Sequence, residues 1–147
     1  MTLAVIFKII KQKIGQSLAE IDGEQQEMLN SFLIHYIETA NSLLAAYGIT
    51  TGVTVDTDAV SLSADPADAI GLLLAYQCAS SLIADDLVNR LKNGELGISF
   101  KTGASEITTN QAAITLKASA HRINRDYETL LVAYLSGDPN SVIERFQ

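Results

Sequence analysis

The chain has 147 residues, of which 48% are hydrophobic, with a formal charge of −7 and a single cysteine. This length suits one domain with its own core, and the hydrophobic content excludes a disordered chain. One cysteine also excludes a disulfide framework and a multi-cysteine zinc site.

The charge is unevenly distributed along the chain. Residues 14–89 hold eleven acidic residues and no lysine or arginine, whereas residues 1–13 hold three lysines and residues 90–147 are nearly neutral. An acidic surface repels phosphate, which argues against sequence-specific binding of duplex DNA through this part of the chain. The other interpretation is that the acids only keep the protein in solution.

The first two predicted elements are helices over about 3–15 and 24–47. The first carries a small basic face, which either docks to an acidic surface or is simply solvated. The second ends before Gly48, which suits a left-handed cap. Its apolar positions predict one continuous core stripe formed by Leu29, Phe32, Leu33, Tyr36, Ile37, Ala40, Leu43, Leu44 and Tyr47.

Residues 49–65 are rich in threonine and valine and predict a long polar loop with one or two short strands. A third helix is expected to begin near Pro66, with Asp65 as its N-cap, and to run to about Asn93-Gly94. Its uncharged stretch, 69–84, is too short for a membrane span and indicates a buried helix. A stripe of small residues on it would let helix 2 or a neighbouring subunit approach closely: Gly71, Ala75 and Ala79.

Residues 96–109 predict a β-hairpin, with Ile98 and Phe100 on one arm and Ile107 and Thr109 on the other. A fourth helix follows at about 110–135 and stops at Ser136-Gly137-Asp138-Pro139. Its seam has heptad spacing and comprises Ala113, Leu116, Ala120, Ile123, Tyr127, Leu130 and Tyr134.

The predicted fold class is therefore mainly α: a bundle of about four helices with a long polar loop, a short β-hairpin and a C-terminal arm. Residues 1–135 form a single helical domain, which includes loop 49–65 and hairpin 96–109. Residues 136–147 form the arm.

The search for catalytic chemistry gives little. His35 and His121 stand alone on helices, and Cys78 lies in an apolar helix, where a thiol behaves as a small hydrophobe. Asp56-x-Asp58 resembles the start of a calcium loop, but Ser61 replaces the required glycine. We therefore expect no catalytic residue, no metal, no cofactor and no enzyme activity, and the seam, the stripe, the hairpin and the arm together favour an assembly component.

The order of elements resembles the head–tail connector, or adaptor, proteins of tailed bacteriophages, which are small helical proteins that form a ring below the portal. The pieces that carry the resemblance are the helix ending at 43–48, the polar loop, the helix over 69–79, the segment 96–103 and the C-terminal arm. The lysine-bearing start departs from the pattern.

The resemblance implies a structural protein of the virion neck, assembled in the host cytoplasm. Its partners would be the portal protein, a tail or nozzle protein, and further copies of itself in a ring that is usually twelvefold. DNA would pass as non-specific cargo, because acidic walls repel phosphate. No membrane is involved.

Carried over to this chain, the resemblance assigns three groups of residues. The portal-docking group is Leu135, Val142, Ile143 and Phe146. The tail-facing loop group is Val53, Asp56, Asp58 and Val60. The subunit interface, which we place on helix 4 and the stripe on helix 3, is Gly71, Ala75, Ala79, Leu116, Ile123, Tyr127 and Leu130.

Two other functions stay open at this point. One is a stand-alone helical protein-binding or regulatory module that dimerises through helix 4. The other is a small enzyme that uses the loop aspartates with a divalent metal.

Overall fold

In the computed structural model, residues 1–14, 23–92 and 103–137 are described, with side chains at 1–14, 26–85 and 118–137. The elements are α1 (Leu3–Lys13), α2 (Gly23–Ala46), β1 (Val55–Asp56), β2 (Ser61–Leu62), α3 (Asp68–Lys92) and α4 (Gly103–Leu135). The predicted fold class is confirmed: the protein is a mainly α-helical bundle with a small antiparallel hairpin. No described helix is both long and apolar enough to cross a membrane.

The central element is α3, which packs against α1, α2 and α4. Every residue from Ile70 to Ala79 except Gln77 is buried, so this part of the helix is covered on all sides. A helix that is apolar all round belongs in a core. The prediction that residues 69–84 form a buried helix is confirmed over most of its length.

The other helices each bury one side against this core. From α1 the buried residues are Ile6, Phe7 and Ile10; from α2 they are Leu33, Ile34, Ile37, Ala40 and Leu44; and from α4 they are Ile123, Tyr127 and Leu130. These residues form one contiguous cluster with α3.

The end of α2 is fixed by Gly48, as predicted. Gly48 has a φ of 81°, its N–H donates to the Ala45 carbonyl at 3.0 Å, and the N–H of Ile49 donates to the Leu44 carbonyl at 3.0 Å. This pair of bonds is the Schellman motif, and Leu44 and Ile49 are both buried in the core, as that motif favours. The chain therefore leaves α2 in a defined direction into loop 49–65.

The predicted start of α3 is wrong by two residues. The helix begins at Asp68, and the first helical bond runs from the Gly71 N–H to the Ala67 carbonyl at 2.8 Å. The carbonyl of Pro66 instead accepts from the Met1 ammonium group at 2.7 Å, and that group also lies 3.3 Å from the Asp68 carboxylate. Because the helix begins at Asp68, Asp65 is not its N-cap.

The hairpin prediction at 96–109 is wrong for its second arm, because residues 103–109 belong to α4. Extending an existing helix adds one hydrogen bond for each residue fixed. The short alternation of apolar and polar residues that predicted a strand does not outweigh that gain. The first arm, with Ile98 and Phe100, lies outside the described residues. The hairpin of this fold lies instead in the loop, where β1 pairs with β2, so the short strands predicted for 49–65 are confirmed.

Candidate functional site

The small-residue stripe on α3 faces the chain's own core. Ala75 and Ala79 are fully buried, and a Cβ atom added to Gly71 would lie 2.6 Å from the Met1 sulfur. The close approach that these residues allow is therefore used by the N-terminal segment of the same chain. A subunit contact through this stripe would require that segment to leave.

The predicted seam on α4 is also covered from within. Ile123, Tyr127 and Leu130 are buried in the core cluster, where α4 packs on α3. The side chain of Leu116 lies outside the described residues. A contact between subunits through this seam would require α4 to separate from α3.

The loop from Ile49 to Asp65 is held by hydrogen bonds along its length. The Asn41 side chain on α2 donates to the Val53 carbonyl at 3.1 Å and accepts from the Thr51 hydroxyl. Further along, Thr54 and Ser63 exchange two bonds, of 2.8 and 3.0 Å, next to the β1–β2 pair. One amide on α2 thus anchors the base of the loop.

The four tail-facing residues have different environments within this loop. Val53 is 9% exposed and packs inward, whereas Asp56 and Asp58 are exposed. Val60 is half-buried against the core and has a φ of 52°, which is unusual for a β-branched residue. The exposed tip of the loop is therefore formed by the two aspartates.

Asp56 shapes the turn between the two strands. Its Oδ1 accepts from the N–H groups of Asp58 and Ala59 at 3.1 and 3.0 Å. This Asx turn uses the carboxylate oxygen for local structure. Among the described residues, no group of three or more His, Cys, Asp or Glu side chains could hold a metal ion.

The described side chains give no catalytic constellation either. Cys78 is fully buried in α3, and burial raises the pKa of its thiol above the usual range, so the prediction that it packs as a small hydrophobe is confirmed. His35 and His121 are both exposed, on α2 and α4.

The end of α4 presents apolar side chains to solvent. Val132 is 63% exposed and Leu135 is 57% exposed, and the helix stops there with Gly137 at a φ of 82°. Leu135 is the one portal-docking residue within the described part of the chain. Val142, Ile143 and Phe146 lie outside it, as does most of the predicted arm.

An extended apolar surface lies on α2, and the sequence prediction assigned most of it to the core. Five residues lie at steps of four, four, seven and four and so share one side of the helix. Met28 is 68% exposed, Phe32 52%, Leu43 38% and Tyr47 56%, and Tyr36 is half-buried. We call Met28, Phe32, Tyr36, Leu43 and Tyr47 the α2 apolar face.

The predicted stripe was too wide because it joined two sides of the helix. At about 100° per residue, Leu33, Ile37 and Leu44 point to one side, and the α2 apolar face lies roughly a quarter-turn or more away. The sequence could have shown this, because nine apolar positions at about 100° per residue spread over more of the helix than one core-facing stripe covers.

An aromatic pair and one acid of α3 mark the α2 apolar face. The rings of Phe32 and Tyr36 pack edge to face with centroids 5.3 Å apart, and the Tyr36 hydroxyl donates to Asp85 at 2.7 Å. Burial, this bond and the Asp85 charge together raise the pKa of Tyr36 to about 12. Glu27 and Glu38 are exposed but lie on the other side of α2, so the acid beside this face is Asp85 on α3.

Comparison of the chain with protein-family models, with curated proteins and with solved structures finds no match.

Proposed function

We propose that the protein is a head-to-tail adaptor of a tailed bacteriophage, which forms a ring under the portal, extends the DNA channel and provides the attachment site for the tail. The resemblance in element order gives the proposal its specific identity. The helical bundle with a hairpin inside its long loop is compatible with it.

The observation that carries the proposal is the placement of apolar side chains outside the core cluster of the described residues. Met28, Phe32, Tyr47, Val132 and Leu135 are each more than half exposed. Extended apolar surface of this kind marks sites that contact other macromolecules. With no catalytic or metal constellation among the described side chains, assembly explains these exposed residues best.

In this proposal each partner is assigned to one group of residues. In this proposal the portal is bound by Leu135 together with Val142, Ile143 and Phe146, which follow it in sequence. The tail or nozzle protein meets the loop tip that carries Asp56 and Asp58. A tip held by hydrogen bonds is a suitable contact, because little conformational entropy is lost when it binds.

The acidic block has a role in the same proposal. Residues 14–89 contribute eleven acids and no basic residue. A channel lined by part of this block would let DNA slide, since phosphate is repelled and no cation holds it.

The experiment is to mix the protein with its candidate portal and to image the complex by electron microscopy. A ring of matching symmetry in two-dimensional class averages is expected. A truncated variant that ends at Gly137 should keep the fold, as measured by circular dichroism, and should lose portal binding in a pull-down. Undiminished binding by this variant would refute the docking assignment, and absence of any ring would refute the adaptor function.

The stand-alone dimer through the helix 4 seam is less favoured, because the described seam residues are already packed inside the subunit. A stable dimer in light scattering that forms no ring with the portal would favour it. The metal-dependent enzyme would be favoured by calorimetric binding of calcium, magnesium or manganese.

A further inference from the structure

The α2 apolar face has the same spacing when it is read from either end of the helix. Thr39, which is exposed on the same side of α2, lies between its two halves. With Thr39 included, the residues follow one another at steps of four, four, three, four and four, a palindrome centred between residues 37 and 38. A surface with this symmetry matches a second copy of itself that runs in the opposite direction.

An antiparallel second copy would also place each aromatic ring opposite a side chain that has no ring. About a two-fold axis at the centre of the palindrome, every residue of the set has one mate on the other copy. Packing that alternates bulky and smaller side chains in this way lets two surfaces interdigitate. The pairs are Met28 with Tyr47, Phe32 with Leu43, and Tyr36 with Thr39.

Hydroxyl groups on this side of α2 already have partners within the subunit. The Thr39 hydroxyl donates to the His35 carbonyl at 3.2 Å, and the Ser42 hydroxyl donates to the carbonyl four residues before it at 3.2 Å. The Tyr36 hydroxyl donates to Asp85 at 2.7 Å. Covering the face would leave none of these groups without a hydrogen bond, so little free energy is lost when water is removed from them.

The acids of α2 do not oppose this packing. At about 100° per residue, Glu27 and Glu38 point about 130° or more away from the middle of the face. The corresponding acids of two copies would therefore lie on the far sides of the paired helices. The face itself carries no charged residue, and this suits a contact with an equally uncharged surface.

We propose that the α2 apolar face is covered by the same face of a second copy of this chain, with the two helices antiparallel about a two-fold axis. The contact is isologous, because both copies use the same surface, and it closes at two copies. It is a contact of the free subunit, it differs from the heterologous contact that a ring needs, and it does not rest on the adaptor function.

The exposed area predicts how strong the contact is. The exposed fractions of Met28, Phe32, Leu43 and Tyr47 together amount to about two complete side chains, or roughly 430 Å² at about 200 Å² for each large side chain. A two-fold contact buries this area twice, about 860 Å², whereas stable interfaces begin at about 1,200 Å². We therefore expect a weak dimer, which forms at high protein concentration and can be trapped by a covalent bond.

Disulfide trapping with a single variant tests the two-fold contact. In the antiparallel pair, position 39 lies opposite position 36, so the two copies of position 39 are offset by only about 4.5 Å along the helix. Thr39→Cys, oxidised at high concentration, should therefore cross-link to its own copy. Glu38→Cys is the matched control at the same level on the other side of α2, and it should give little. The unaltered protein should give none, because Cys78 is buried.

Charge substitutions test the antiparallel register. Phe32→Lys or Leu43→Glu, each added to Thr39→Cys, should lower the yield about tenfold. The two together should restore most of it, because the new cation of one copy faces the new acid of the other, while the two lie about 16 Å apart within one chain. Phe32→Lys with Ser31→Glu places the acid off the face, so this control should stay low. Circular dichroism should show the same helix content in all variants.

The outcomes separate this proposal from the adaptor function. No cross-linked dimer from Thr39→Cys, or an equal yield from Glu38→Cys, overturns the two-fold contact even if a ring forms on the portal. Failure of the combined substitutions to restore the yield overturns the antiparallel register. Selective cross-linking that the combined substitutions restore supports the contact, even if no portal binding is found and the adaptor function fails.

Discussion

The two tyrosines with raised pKa values differ in how their hydroxyl groups are bonded, and this difference predicts opposite effects of the same substitution. Tyr127 on α4 is 8% exposed, and its Oη is buried with no hydrogen-bond partner among the described residues. The Oη of Tyr36 is bonded to Asp85 at 2.7 Å. Replacement by phenylalanine removes only the hydroxyl in each case.

Tyr127→Phe should raise the free energy of unfolding by about 1 kcal/mol. A buried, unpaired hydroxyl costs about 1–3 kcal/mol of desolvation, and the ring that remains keeps its packing against α3. Tyr36→Phe should lower it by about 0.5–1 kcal/mol, because a hydrogen bond to a carboxylate is lost at a half-exposed site. For a chain of this size, 1 kcal/mol corresponds to about 3 °C in Tm.

Urea unfolding followed by circular dichroism measures both effects as shifts of the midpoint at unchanged m. The two variants should move the midpoint in opposite directions. If Tyr127→Phe lowers it as much as Tyr36→Phe does, the Tyr127 hydroxyl is bonded in solution, and the packing of α4 on α3 described above is wrong at that point.

Three further predictions concern the pH dependence, the loop and the α2 apolar face. Burial raises the pKa values of Tyr36 and Tyr127 to about 12. The free energy of unfolding, measured from urea midpoints, should therefore be unaffected by these groups below pH 10 and should fall as the pH rises toward 12. Asn41→Ala should cost about 1–3 kcal/mol, while Ser42→Ala, its exposed neighbour, should change little; equal effects would contradict the anchoring role. Phe32→Gln should change the unfolding free energy by no more than about 0.5 kcal/mol, whereas Leu33→Ala should cost about 3 kcal/mol.

The sequence predicted the helices well where local signals are strong. The end of α2 at Gly48 and the buried character of α3 both follow from residues within one or two turns, namely a glycine cap and a long apolar run. The start of α3 could not be found this way. The Pro66 carbonyl beside that start bonds the Met1 ammonium group, 65 positions away, and local signals do not show such a contact.

The site was harder to predict, because hydrophobic periodicity does not show what covers a face. The stripe with Gly71 and the seam with Tyr127 have the spacing of an interface, and both are filled by the same chain. Phe32 and Tyr47 have the spacing of a core and are exposed. Distinguishing these cases requires knowing which helices are neighbours, and that is a property of the whole fold.

The arrangement of α3 explains why function should lie on the outer faces of α2 and α4. Since α3 is covered on all sides from Ile70 to Ala79, apart from Gln77, the three surrounding helices bury this part of the core. Apolar side chains that remain outside, such as Met28 and Val132, add little to folding and carry the risk of non-specific association. A partner that covers these side chains would remove that risk, so a binding function is expected on the outer faces of α2 and α4.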